Sequence, residues 1–275
     1  MRLYHYYFIV LIALTALGAC STVKSPELQI TISAEDAQRI GQQIWQNEGA
    51  GKIEHLLVWN AGEDFPSLGI GHFIWFPHGV RVPFQESFPS LIPYLANSPY
   101  FPAWLHQQTH APWISREQFQ QQINSSRSLE LRRLLHHTFA QQTQFIIARV
   151  QRGLPSLLKQ IDNPQQRQHV EKLLTQLLQQ PAGTYAVVDY INFKGEGTSE
   201  KERYQGKGWG LLQVLLEMSA QTNDVVSEFA RAADTVLTRR VANAPRDESR
   251  WLPGWRKRLQ TYPQFARQAS TVKDA

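Results

Sequence analysis

Cysteine is almost absent from this chain: Cys20 is alone among 275 residues. A lone thiol closes no internal disulfide and builds no thiolate metal cluster. The metalloprotease spacing His-Glu-x-x-His does not occur, and His136-His137, adjacent in a helical stretch, would face different directions, so nothing signals a metal site. There is no Gly-x-Ser-x-Gly elbow to present a nucleophilic serine. Gly69-x-Gly71 is too short for a dinucleotide fingerprint, and no other pattern asks for a cofactor. Lys and Arg are scattered rather than clustered and accompany no nucleic-acid motif, which sets nucleic acid aside as a partner. No internal repeat recurs.

Long apolar runs are also scarce, and the one at the start is informative. Arg2 precedes Tyr6 to Leu17 (YYFIVLIALTAL), a run too short for a comfortable membrane span, which reads as an export signal. It ends in Leu17-Gly18-Ala19-Cys20, which resembles the bacterial lipobox, where the cysteine is acylated and becomes the new N-terminus. The resemblance implies a signal peptide over 1–19 and a membrane anchor through lipid on Cys20. Ser21 in place of Asp resembles lipoproteins sent to the outer membrane, facing the periplasm. Residues 20–32 then form a tether. Processing removes Arg2 and no acid, taking the net charge from +5 to +4, a modest balance that suits a negatively charged polymer.

What is present is a foldable domain over 33–265. Ser33-Ala34-Glu35-Asp36 has the form of a capping box, and Ile40, Ile44 and Trp45 continue one helical face. This helix should end near Asn47 to Gly51, leaving Glu48 at its C-terminus. Apolar β-type runs on either side of Asn60 to Asp64 predict a hairpin lobe over about 52–76. Seven prolines between 77 and 113 exclude long helices and predict an ordered, loop-rich excursion. From 115 to 265 apolar residues recur at helical spacing, with Gly153, Pro155 and Pro164 as punctuation and Tyr185 to Phe193 as a buried helix. The fold class is α+β, mainly α: a small β lobe beside a larger helical lobe, the arrangement in which clefts form.

Glu48 is the first candidate for chemistry. The negative end of the helix dipole and partial burial both favour the protonated carboxyl that a general acid needs at a glycosidic oxygen. Ile44 to Gly49 (IWQNEG) followed by Ser67 to His72 (SLGIGH) resembles the phage-type lysozymes, whose first helix ends in Glu-Gly and whose hairpin carries Thr-x-Gly-x-Gly-His. Ala186 to Gly195 (AVVDYINFKG) looks like that family's Phe-x-x-Asn-x-Gly segment, and Leu252 to Arg258 (LPGWRKR) is similar to its closing Pro-Gly-(x)-x-Arg-Arg segment.

The resemblance implies a lysozyme-like two-lobe fold and a peptidoglycan glycosidase, or at least a binder of glycan strands. Glu48 takes the place of the catalytic acid and Ser67 that of the threonine that positions water or steadies the sugar. His72 matches a hairpin histidine. Asn192 falls in the helical segment. The second carboxylate stays open among Glu54, Glu63 and Asp64, none at the family's spacing, because Glu48 and His72 lie 24 positions apart. Asp64 or Glu63 would stabilise the oxocarbenium-like transition state or activate water with Ser67. Trp59, Trp75 and Trp209 are candidate sugar-stacking faces. A second polar segment, Gly195 to Gln213, ends in Gly-x-Gly-Trp-Gly-Leu-Leu-Gln and looks like a segment of lytic transglycosylases, which makes Glu196 a rival acid. Tyr204 and Gln213 offer hydrogen bonds to N-acetyl groups there. The excursion 77–113 either shapes one end of a groove or docks an envelope protein.

Overall fold

In the computed structural model the fold starts from a capped helix. Residues 28–80, 85–219 and 221–273 are described. Cys20 and the signal peptide 1–19 lie outside the described residues. Ser33 caps α1 (Ala34–Gly49), its Oγ accepting from the Asp36 amide at 3.0 Å. Ala37, Ile40 and Ile44 bury one face of α1, most extensively against α5. The helix closes where Ala50, at φ 51°, takes the left-handed turn that usually falls to glycine.

The expected hairpin is a three-stranded antiparallel sheet in the order β1-β2-β3, made of β1 (Leu57–Val58), β2 (Ser67–Leu68) and β3 (Phe73–Ile74). Leu57, Leu68 and Phe73 sit across from one another in register, and all three are buried. The Pro-rich excursion supplies α2 (Phe88–Leu95), whose Phe88, Leu91 and Leu95 are fully buried. Trp75 packs on Phe88 with ring centroids 4.6 Å apart. Leu105 and Trp113 join the same apolar core, so this excursion is part of the core wall.

The helical remainder is α3 (Arg116–Gln121), α4 (Ser126–His136), α5 (Phe139–Lys159), α6 (Pro164–Leu178), α7 (Pro181–Lys194), α8 (Leu211–Glu217), α9 (Val225–Asn243) and α10 (Leu252–Lys273). A short hairpin of β4 (Arg203–Tyr204) and β5 (Lys207–Gly208) interrupts it. Gly153 and Pro155 do not break α5, contrary to the punctuation expected of them. The roughly 3 kcal/mol that an internal proline costs is outweighed by burying Phe145, Val150, Leu154 and Leu157, each worth roughly 1.5–3 kcal/mol. Pro164 does mark a boundary, at the first turn of α6. The last helix also runs beyond the expected limit at 265.

The molecule is therefore mainly helical with small antiparallel sheets. Its centre is α7, in which every residue from Ala182 to Tyr190 is buried. A Cβ on Gly183 would stand 2.1 Å from the Leu177 carbonyl oxygen, so α6 and α7 meet at a distance that admits no side chain.

Candidate active site

Because α7 is buried all round, the acid it carries needs internal partners. Asp189 is 0% exposed, and each of its oxygens accepts two hydrogen bonds. Oδ1 accepts from Asn47 Nδ2 at 3.0 Å and Arg258 Nη2 at 2.9 Å. Oδ2 accepts from Arg258 Nε at 2.9 Å and the Tyr262 hydroxyl at 2.8 Å. The two-point grip fixes the guanidinium plane, and Arg258 reaches Glu48 from there. Its Nη2 donates to Glu48 Oε1 at 2.5 Å, and Asn192 Nδ2 donates to the same oxygen at 3.1 Å. Asn47 also donates to the Tyr185 hydroxyl at 2.7 Å.

Three helices thus converge on one carboxylate: the end of α1 gives Glu48, the end of α7 gives Asn192 and the first turns of α10 give Arg258. Burial alone would weaken the Arg258 charge, but Asp189 and Glu48 overcome it and raise its pKa. Burial, then the Asp189 charge, holds the Tyr185 and Tyr262 hydroxyls above the ordinary tyrosine range. The Glu48 side chain keeps 18% of its surface open, against none for Asp189. Of the two carboxylates in the network, Glu48 is the one that a ligand can reach, beside the exposed Asn192.

A stack of cations and rings extends from Arg258. Its guanidinium lies 4.3 Å over Phe193, and Lys194 Nζ lies 4.0 Å from Phe193 and 3.5 Å from Trp255. Arg240 follows, 5.1 Å from Trp255 and 4.1 Å from Trp209. Burial, together with Arg240 and Arg258, pushes the Lys194 amine down to about 7. Two hollows adjoin Glu48's partners. One, of about 230 Å³, is lined by Phe73, Ile146, Arg149, Val150, Asn192 and Glu196. The other includes Asn47, Phe193, Trp255 and Arg258.

The remaining residues singled out in the sequence are distributed differently. Glu63 and Asp64 line a separate hollow with Trp59, Ser115 and Arg116. Glu63 Oε2 accepts from Asn60 Nδ2 at 3.2 Å, a contact within the turn. Ser67 is paired between Val58 and Ile74 and is 6% exposed. His72 occupies the β2–β3 turn at φ 47°.

The three tryptophans do not offer open faces to a sugar. Trp75 is 0% exposed against Phe88, Trp59 packs on Phe119, and Trp209 is covered by Tyr204 and Arg240. Burying such large rings in the core is worth more than displaying them. Tyr204 and Gln213 are also engaged internally. The Tyr204 hydroxyl donates to Glu248 Oε1 at 2.9 Å. Gln213 Oε1 accepts from the Gly210 amide and its Nε2 donates to the Gly197 carbonyl, both at 3.0 Å, which ties the Gly-rich loop to α8.

Asp189, Asn47 and Lys194 join the network although the sequence segments they stand in assigned none of them a role. The available signal is Asp189 itself, a lone acid inside the apolar run Tyr185 to Phe193. No protein-family model matches this chain, and comparison with curated proteins and with solved structures finds no match either.

Proposed function

We propose that this protein is an envelope lipoprotein of the outer membrane, anchored through Cys20, that cleaves the glycan strands of peptidoglycan with Glu48 as proton donor. The single observation that carries the proposal is the meeting of Glu48, Asn192 and Arg258. These residues come from three of the four segments that resemble phage-type lysozymes, in the same order along the chain. A lysozyme-like fold with a small sheet beside a larger helical body is part of the proposal.

Arg258 and Asn192 hold Oε1, which leaves Glu48 Oε2 to address the glycosidic oxygen. Donation of a proton there turns the leaving sugar into an alcohol as the anomeric carbon gains positive charge. Asp189 does not face the substrate. It orients Arg258, which orients Glu48. An anchored enzyme would stay beside its insoluble substrate and confine cleavage to nearby wall.

A second proposal, binding of wall without cleavage, is favoured by the closed ion pair between Glu48 and Arg258. A peptidoglycan zymogram of the purified protein beside Glu48→Gln separates the two. Clearing by the native chain alone supports the glycosidase. No clearing by either chain, with retention of both on isolated sacculi, replaces it with the binder.

A further inference from the structure

The β1–β2 turn, where the resemblance looks for a second carboxylate, holds Glu63 and Asp64 in a hollow that shares no lining residue with the two around Glu48's partners. The carboxylate that shares Arg258 with Glu48 is Asp189, which is fully buried with both oxygens occupied by four donors, so it does not face a substrate or its water. Glu248 is similarly occupied by Arg240 and Tyr204, and Glu202 by the Gly197 amide.

Glu196 is placed differently. It lines the hollow that also contains Asn192, the residue whose amide donates to Glu48. Its walls there are the apolar Phe73, Ile146 and Val150, with Arg149 alongside, close enough that the Glu196 charge acts on the Arg149 guanidinium. The backbone around it is specially built. Gly195 at φ 86° and Gly197 at φ 81° bracket Glu196 in conformations that residues with a Cβ rarely adopt. The Leu212 amide donates to the Glu196 carbonyl at 3.0 Å, and the Leu211 amide to the Gly195 carbonyl at 3.0 Å. Gln213 clamps Gly197 from the same helix. On its other side a Cβ on Gly153 would stand 2.7 Å from Glu196 Oε1, so a side chain there would push the carboxylate from its present position against α5.

We infer that Glu196 is the second catalytic carboxylate of the site, working with Glu48 across Asn192 as the base that activates the attacking water. This rests on the glycosidase proposed above. In the step, the water oxygen bonds to the anomeric carbon and its proton passes to Glu196. The bond from that carbon to the glycosidic oxygen breaks, and the oxygen takes the proton of Glu48. One water is consumed, and a single displacement inverts the anomeric configuration.

The test compares wall cleavage by the native protein, Glu196→Gln, Glu196→Ala and the double variant Glu63→Gln/Asp64→Asn, with thermal melts to show that each is folded. The expected result is a loss of at least a hundredfold in both Glu196 variants and a change of no more than about twofold in the double variant. Azide, which needs no base, should restore turnover to Glu196→Ala and give a glycosyl azide of inverted configuration. Full activity in Glu196→Gln, or loss in the Glu63/Asp64 variant, overturns the assignment and leaves the glycosidase standing. Loss without azide rescue in a folded variant also overturns it, leaving Glu196 a loop residue. Failure of the native protein to cut wall is a failure of the underlying proposal instead.

Discussion

Glu48 and Glu63 are the same amino acid, yet they are held in opposite ways. Glu48 is bonded to Asn192 and Arg258, which lie 144 and 210 positions away in the chain. Glu63 is bonded to Asn60, three positions away, while its carbonyl accepts from Trp59 Nε1 at 2.7 Å. The first contact exists only when three helices are assembled, so it orients a carboxylate in a rigid frame. The second can form in the isolated turn and orients little beyond it. Long-range anchoring is what suits a side chain for chemistry that depends on sub-ångström placement.

The largest expected effect breaks this comparison at its centre. Glu48→Gln should reduce wall cleavage by roughly 10²- to 10⁴-fold, the usual cost of losing a general acid, whereas Glu63→Gln should leave the rate within about twofold of native in the same zymogram. Next comes stability. Asp189→Ala strips Arg258 of its main partner and should cost about 3–5 kcal/mol in urea unfolding at pH 7, against less than about 0.5 kcal/mol for Asp64→Ala at the exposed turn.

A third measurement sharpens the electrostatics of the Glu48 side. Lys194 titrates at about 7 in the folded chain and near 10.5 when unfolded. Between those values the unfolded chain binds more protons, so raising the pH from 7 to 10.5 should stabilise the fold by an amount on the order of a few kcal/mol. Below pH 7 the full cost of the buried charge is present. Lys194→Met should flatten this rise, and urea midpoints across the pH range read it directly. The smallest effect belongs to the turn. Asn60→Ala removes one exposed hydrogen bond to Glu63 and should cost under about 1 kcal/mol.

Much of the helical frame was legible beforehand because its signals are local. The Ser33 cap, the apolar spacing of α1, the absence of a long helix among the prolines between 77 and 113 and the burial of Tyr185 to Tyr190 all rest on neighbours within a few residues. The exceptions arise where distant packing outweighs local preference, as at Gly153 and Pro155 inside α5. Aromatic residues mislead for the same reason, since nothing near Trp75 in the chain announces that Phe88 will cover it.

The site divides along the same line. From the sequence alone it follows that an acid ends the first helix and that an Asn stands near the end of a buried helix, because each rests on capping and periodicity. The Arg-rich segment Leu252 to Arg258 was legible as a motif and not as the opening of a helix. Only the tertiary structure decided that Glu48, Asn192 and Arg258 touch, that Asp189 orients the arginine, and that Glu63 and Asp64 stand apart from them. Those contacts join residues 69 to 210 positions apart, and they are fixed by the packing of α1, α7 and α10 into one core, which no local pattern encodes.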